Sequence, residues 1–299
     1  MNLPPPLKVS VPKEAINRRS FLKASMLGAA GLALYSSCLE RHWIDVCHSV
    51  ISLHGLPEAF EGMRVAQLSD IHMNEFTEPV FLRHAIDLIN QAQPDMVVLT
   101  GDFVSFGISS MQHAVEAAWQ CANILRGIQC KPLYAVLGNH DLQVGEEEVT
   151  AALMANDVTV LTNTYLPIER GGSRIWLTGT DDPVYGRPNL DLAVPDFIRK
   201  ASNEPAVMLC HAPDYVEDIL AHPAGRAIDL MLSGHTHGGQ VRMPLIGPLW
   251  LPVLGRKYIE GLFKIGNLQL YVNRGLGTMM LPFRFNCPPE ITLITLRAS

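Results

Sequence analysis

Apolar residues recur along this chain in short runs, at Val65–Leu68, Met96–Leu99, Leu133–Leu137, Ala206–Cys210 and Leu230–Leu232. Runs of this length predict strands buried on both faces. Between them the period becomes helical: Phe81, Ala85, Leu88 and Ala92 repeat at i, i+4, i+7 and i+11, and Val115, Ala118, Ala122 and Leu125 form a second such stripe. Glu146-Glu147-Glu148 predicts the opening of a further helix, because carboxylates suit the positive end of a helix dipole. Alternation over Val46–Ser52 predicts an edge strand. Alternation from Val158 to Leu177 and from Tyr258 to Leu296, with turns at Gly171-Gly172 and Gly266-Asn267, predicts antiparallel strands. Together these elements predict an α/β fold, a four-layer αββα sandwich of two mixed sheets flanked by helices.

The N-terminus departs from that pattern. Asn17-Arg18-Arg19-Ser20-Phe21-Leu22-Lys23 precedes a mildly apolar stretch from Ala24 to Tyr35 and resembles a twin-arginine export signal. Residues 1–40 are therefore expected to be a leader and 41–299 the working domain. The apolar stretch is shorter than the roughly 20 residues of a membrane span. The resemblance implies engagement of the twin-arginine export machinery and a place in the periplasm or on the outer face of the cytoplasmic membrane. It leaves open whether the leader is cleaved or kept as an anchor.

Composition narrows the classes. Of 299 residues, 48% are hydrophobic and 17% charged, which describes a well-cored globular chain. A net charge of −6 argues against bulk attraction to nucleic acid. The six cysteines include no C-x-x-C pair, which removes zinc-ribbon and thioredoxin-type chemistry. Cys210 reads as core, and Cys121 and Cys130 can meet only if their segment folds back.

The polar residues that follow the apolar runs carry the chemistry: Asp70-Ile71-His72, Gly101-Asp102, Gly138-Asn139-His140-Asp141, His211, and Gly234-His235-Thr236-His237. In an open α/β sheet, ligands collect outside the carboxyl ends of the strands. Asp70 and His72, like His235 and His237, have the spacing at which alternate side chains leaving a strand point the same way. Asp102 is the candidate carboxylate to bridge two ions. Oxygen and imidazole ligands without thiolate suit Mn, Fe or Zn.

Taken in order, these blocks resemble the signature of the calcineurin-like metallophosphoesterases from about Arg64 to Asn273. A lone Asp-x-His carries almost no information, whereas the whole set is specific. The resemblance implies two divalent metal ions: Asp70, His72 and His237 on the first, Asn139, His211 and His235 on the second, and Asp102 bridging. It places His140 beside the substrate as the catalytic side chain, its ring held by Asp141 or a backbone carbonyl. The implied activity is metal-dependent phosphoester hydrolysis of the phosphodiesterase kind. Ions ~3.5–4 Å apart would lower the pKa of a shared water, and the bridging hydroxide would attack phosphorus. His140 would stabilise the developing charge or protonate the leaving oxygen.

Two other readings stay open. One is a UDP-2,3-diacylglucosamine pyrophosphatase-type hydrolase of a lipid-linked diphosphate, associated with a membrane. The other is a catalytically silent metal-bound scaffold, against which His140 speaks, since a scaffold has no use for a leaving-group acid. Around the blocks, Arg256, Arg274 and Arg284 are available to meet a phosphate, although structural roles are preferred for each. Asp181-Asp182-Pro183 reads as an Asx-capped turn. The apolar residues Leu245, Ile246, Leu249-Trp250-Leu251 and Val253-Leu254 read first as a loop covering the core, and second as a lid or lipid-facing lip.

Overall fold

The computed structural model describes residues 17–299 apart from 74, 75, 108, 109 and 202. The Pro4-Pro5-Pro6 tract at the start of the expected leader lies outside the described residues. The chain runs α1 (Arg18–Leu34), β1 (Asp45–Leu53), β2 (Arg64–Leu68), α2 (Pro79–Ala92), β3 (Met96–Leu99), α3 (Met111–Leu125), β4 (Leu133–Ala135), α4 (Asn139–Met154), β5 (Val158–Val160), β6 (Thr164–Arg170) and β7 (Ser173–Gly179). It continues through α5 (Leu190–Ala193), α6 (Asp196–Arg199), β8 (Ala206–Leu209), α7 (Val216–Ala221), β9 (Ile228–Ser233), β10 (Arg242–Met243), β11 (Gly247–Pro248), β12 (Gly261–Ile265), β13 (Leu268–Val272) and β14 (Glu290–Ala298).

Among the described residues all of these strands but β10 and β11, which pair with each other, build two 6-stranded mixed sheets, ordered β1-β14-β2-β3-β4-β5 and β12-β13-β9-β8-β7-β6. The period-two rule sorts their side chains into layers. In β3, Val97 and Leu99 face α2, α3 and α4, while Met96 and Val98 face the second sheet. In β8, Val207 and Leu209 face the first sheet, while Ala206 and Met208 pack under α5, α6 and α7. The four layers expected from the sequence are present.

One local expectation changes. The β6–β7 hairpin is antiparallel, as read, but β5 pairs parallel with β4 in the other sheet. Alternation reports which faces are buried and says nothing about the direction of the neighbouring strand. Gly145, at φ 145° and ψ 112°, kinks α4, and Glu146–Glu148 open the helical stretch that follows the kink, as expected. Cys121 and Cys130 are free thiols, as are the other four cysteines.

At the N-terminus the Asn17 side chain caps α1 by accepting from the Ser20 amide at 2.8 Å. No residue of α1 is buried. The helical path continues without a break to His42, 25 residues in all, and by length and composition it is long and apolar enough to cross a membrane. Its last turns are packed: Ser36 and Glu40 are buried, the Ser36 carbonyl accepts from the Arg284 amide, and the Glu40 carboxylate accepts from the Cys287 amide.

The register aligns the strand ends. Leu68, Leu99, Ala135 and Val160 stand side by side in the first sheet, and Leu209 and Leu232 in the second. The loops that follow therefore leave along one edge. There the sheets are joined by buried polar links: Gln67 donates to Thr100 Oγ1 and to the Ser233 carbonyl, and Asn273 donates to Thr292 Oγ1 at 2.7 Å. In low dielectric such links fix the position of one sheet against the other.

Candidate metal centre

Five loops converge on this edge and bring every expected site residue into a buried or half-buried position. The first sheet supplies Asp70, His72, Asp102, Asn139 and His140, and the second supplies His211, His235 and His237. Asp70, His72 and His237 form one group and Asp102, His211 and His235 another, each with its ligand atoms within 4.8 Å of one another.

The backbone that aims these side chains is unusual. Asp70 (φ 49°), His72 (φ 48°), Asp102 (φ 57°), His235 (φ 73°) and His237 (φ 51°) all lie in the left-handed region that non-glycine residues avoid. The expectation of strand alternation for Asp70 and His72 is thus corrected: β2 ends at Leu68, and left-handed turns aim both side chains. Irregular pairing holds the strained segment, with the Asp70 amide donating to the Gly101 carbonyl at 2.9 Å and the His72 amide to that of Asp102 at 3.0 Å. The glycines that precede the ligands have a steric reason. A Cβ on Gly138 would collide with the Asp102 carboxylate, and one on Gly234 with Ser69 and Asp70.

Hydrogen bonds fix the imidazoles. His211 Nδ1 donates to the Thr100 carbonyl at 2.6 Å, and its Nε2 faces Asp102 Oδ2 at 3.1 Å. His235 Nε2 donates to the Val253 carbonyl at 2.7 Å, which leaves Nδ1 facing His211 Nε2 at 3.2 Å. In the other group, His72 Nε2 and His237 Nε2 face each other at 2.9 Å. Asp102 Oδ2 is also 3.5 Å from His72 Nε2, so one carboxylate oxygen stands between the two groups.

Charge follows burial. Desolvation holds His72 down to about 3 and His235 to about 4, and keeps His237 neutral as well. Neutral rings present lone pairs rather than protons. Burial alone would raise Asp102, but the surrounding histidines, His211 first, drive it well below the usual carboxylate range. Asn139 Oδ1 is buried without a hydrogen-bond partner among the described residues. An orphaned amide oxygen, an ionised carboxylate and lone pairs meeting at hydrogen-bond distance are a donor set that fits divalent cations.

The model profile of the calcineurin-like phosphoesterases matches residues 63–239. The chain belongs to that family. It is a metallophosphoesterase, and its two Asp and His groups could hold the divalent metals that such enzymes use. It is similar to the uncharacterized metallophosphoesterase YkuE of Bacillus subtilis (strain 168), 34% identical over 95% of this chain and 99% of that one. It is also similar to the phosphodiesterase YaeI of Escherichia coli (strain K12), 32% identical over 94% of this chain and 99% of that one. A dimetal phosphatase from Danio rerio shares the fold, with a TM-score of 0.50 at 12% identity over 79% of this chain and 99% of that one.

Several residues of this metallophosphoesterase do other work than expected. Asp141 does not hold the His140 ring. Its carboxylate accepts from the amides of Asp102, Phe103, Val104 and Gly138, tying two ligand loops together. His140 Nδ1 has no hydrogen-bond partner among the described residues, and the ring packs edge-on against His72 with centroids 5.1 Å apart. Arg284 is fully buried and donates to the carbonyls of Arg274, Gly275, Gly277 and Cys287. Arg274 pairs with Glu290 at 2.6 Å and Asp45 at 2.8 Å. Asp182 caps a turn through the amides of Val184 and Tyr185, as read. The preferred reading of the apolar loop fails: Leu245, Ile246, Leu249, Trp250 and Val253 are exposed and cover no core.

Proposed function

We propose that this metallophosphoesterase hydrolyses phosphodiesters at a binuclear centre. Asp70, His72 and His237 would hold one ion, Asn139, His211 and His235 the other, with Asp102 between them. The observation that carries this reading is the Asp102 Oδ2 atom, within 3.5 Å of a histidine nitrogen from each group. When bound, the ions supply neutralisation of the phosphoryl oxygens and acidification of water. The chain's own contribution is orientation and proton transfer. The His140 amide donates to Asp102 Oδ1 at 2.9 Å, which anchors His140 at the centre's edge. Its side chain is left to protonate the departing oxygen.

A diester suits the surroundings better than a monoester. Arg274 and Arg284 are committed to carboxylates and backbone carbonyls, so they add no free charge for a phosphate dianion. The name of the relative YaeI points the same way. The test is turnover of an aryl diester against the matching monoester with Mn present, alongside metal analysis. Faster diester cleavage with two ions per chain is expected. Preference for the monoester would overturn the substrate class, and two bound ions without turnover would favour a silent scaffold.

A second reading, a lipid-linked diphosphate substrate, is favoured by the apolar surface beside His237. We further propose that residues 1–40 act as a twin-arginine leader delivering the domain 41–299 to the outer face of the membrane. Support comes from Arg18 and Arg19, which are exposed at the start of α1. Replacing both arginines by lysine should trap the protein inside the cell, and undiminished export would contradict the assignment.

A further inference from the structure

A cavity of about 510 Å³ opens directly beside the metal centre, with His237 and Thr236 in its wall. Ala29, Leu32 and Ala33 of α1 form another side, and Trp250, Phe283 and Phe285 face them. The volume is that of a small-molecule site, yet its lining is almost wholly apolar. Gln240 ties the walls together, donating to the carbonyls of Met279 and Leu281 and accepting from the Met279 amide at 2.7 Å.

The helix that completes this cavity is not disposable in the fold. Ser36 and Glu40 bind the backbone of Arg284 and Cys287, and the Cys287 thiol donates to the His237 carbonyl at 3.2 Å. The end of α1 is thereby linked to the loop that carries a metal-group histidine. Toward its N-terminus the helix presents Phe21, Leu22, Met26 and Leu27 to the outside. Arg18, Arg19 and Lys23 stand at that end, and no carboxylate lies between Arg18 and Glu40. At the other side of the cavity, Trp250, Met280 and Leu281 are exposed on the rim. A cationic helix end, an apolar helix of about 37 Å and a rim tryptophan complement an anionic bilayer with a hydrocarbon core of about 30 Å.

We infer that α1 is retained in the membrane and that the cavity between it and the His237 turn is a slot for an acyl chain of a membrane phospholipid substrate. The phosphate end of the inference rests on the hydrolase reading above, and the slot does not. The cavity touches the centre at His237, so a chain lying in it places the attached phosphoester at the ions. Specificity then comes from hydrocarbon length, in a pocket with little polar lining to read a headgroup.

Two measurements on the full chain in phosphatidylglycerol vesicles test this. In the first, phosphatidylglycerol with a diazirine at the end of one acyl chain is photolysed and the labelled residues are mapped. Labels on Phe283, Phe285 and Leu32 are expected, and Ala33→Trp, or Ala29→Trp should the first not fold, should suppress them by filling the slot. Labels confined to Phe21–Leu27, or on no residue of the cavity, would overturn the slot. In the second, diesters of one headgroup and increasing alkyl length are compared with Mn present. KM should fall about fourfold per added methylene until the slot is full. A flat series with good turnover would overturn the slot and leave the hydrolase standing. Cavity labelling without turnover of any ester would support the slot and count against the hydrolase.

Discussion

His237 divides two regions built on opposite physical terms. On its inner side, buried side chains are fixed by hydrogen bonds and by five left-handed backbone turns. Such strain costs on the order of 1 kcal/mol or more at each residue and persists only where the surroundings over-determine it. On its outer side, apolar residues, several of them exposed, line a cavity whose walls are held by Gln240, the β10–β11 pair, backbone bonds to Phe285 and the end of α1. The inner region fixes a reaction and should fail abruptly when altered. The outer region selects by area, and its losses should be graded.

The abrupt side is tested first at Asp102. Asp102→Asn removes the charge from the one oxygen that faces both histidine groups, so both ions and all turnover should be lost. A variant that keeps two ions per chain by elemental analysis would refute the bridge. Next in size, His140→Ala should keep the metals and lower kcat by about 10²–10⁴-fold, the usual range for a proton-transfer group. Unchanged kcat would remove its proposed role. Asp141→Asn should act on the frame instead. Each carboxylate oxygen accepts two amides, and an amide nitrogen in place of one oxygen would face two buried N–H groups. The expected cost is about 1–3 kcal/mol in urea unfolding, and an unchanged midpoint would show that the loops are held by other contacts.

The two regions were also unequally legible in the sequence. Ligand residue types after apolar runs fixed the location of the centre, because strand ends in register deliver their loops to one edge. The frame behind it was not visible. Asp141 sits inside a ligand block and reads as a partner for the neighbouring His140, whereas its hydrogen bonds run to a loop some 38 residues away in sequence. Gln67 lies within an apolar run, and nothing local marks it as the link to Ser233. The left-handed turns at Asp70 and His72 were hidden because aspartate and histidine are not turn signals in the way glycine is. The segment expected to be a leader stood out in composition, but its packing was not legible: Ser36 and Glu40 find partners more than 240 residues away. The outer loop was misread because a dense apolar segment signals burial, and in this protein it is exposed beside the site.

The smallest expected effect decides between those two readings of the outer loop. Ile246 is 74% exposed, with the fully exposed Leu245 beside it. Ile246→Ser removes little buried area, so stability should stay within about 0.5 kcal/mol of the parent, as for other surface substitutions. A loop that covered the core would behave differently, since emptying a buried isoleucine position costs about 2–5 kcal/mol through lost transfer energy and the cavity left behind. Unfolding in urea separates the two outcomes directly. If the parent and the variant share a midpoint while binding to phosphatidylglycerol vesicles weakens, the apolar rim acts on the bilayer and not on the fold. A large loss of stability would close the loop over a core, and with it the contrast between the two sides of His237.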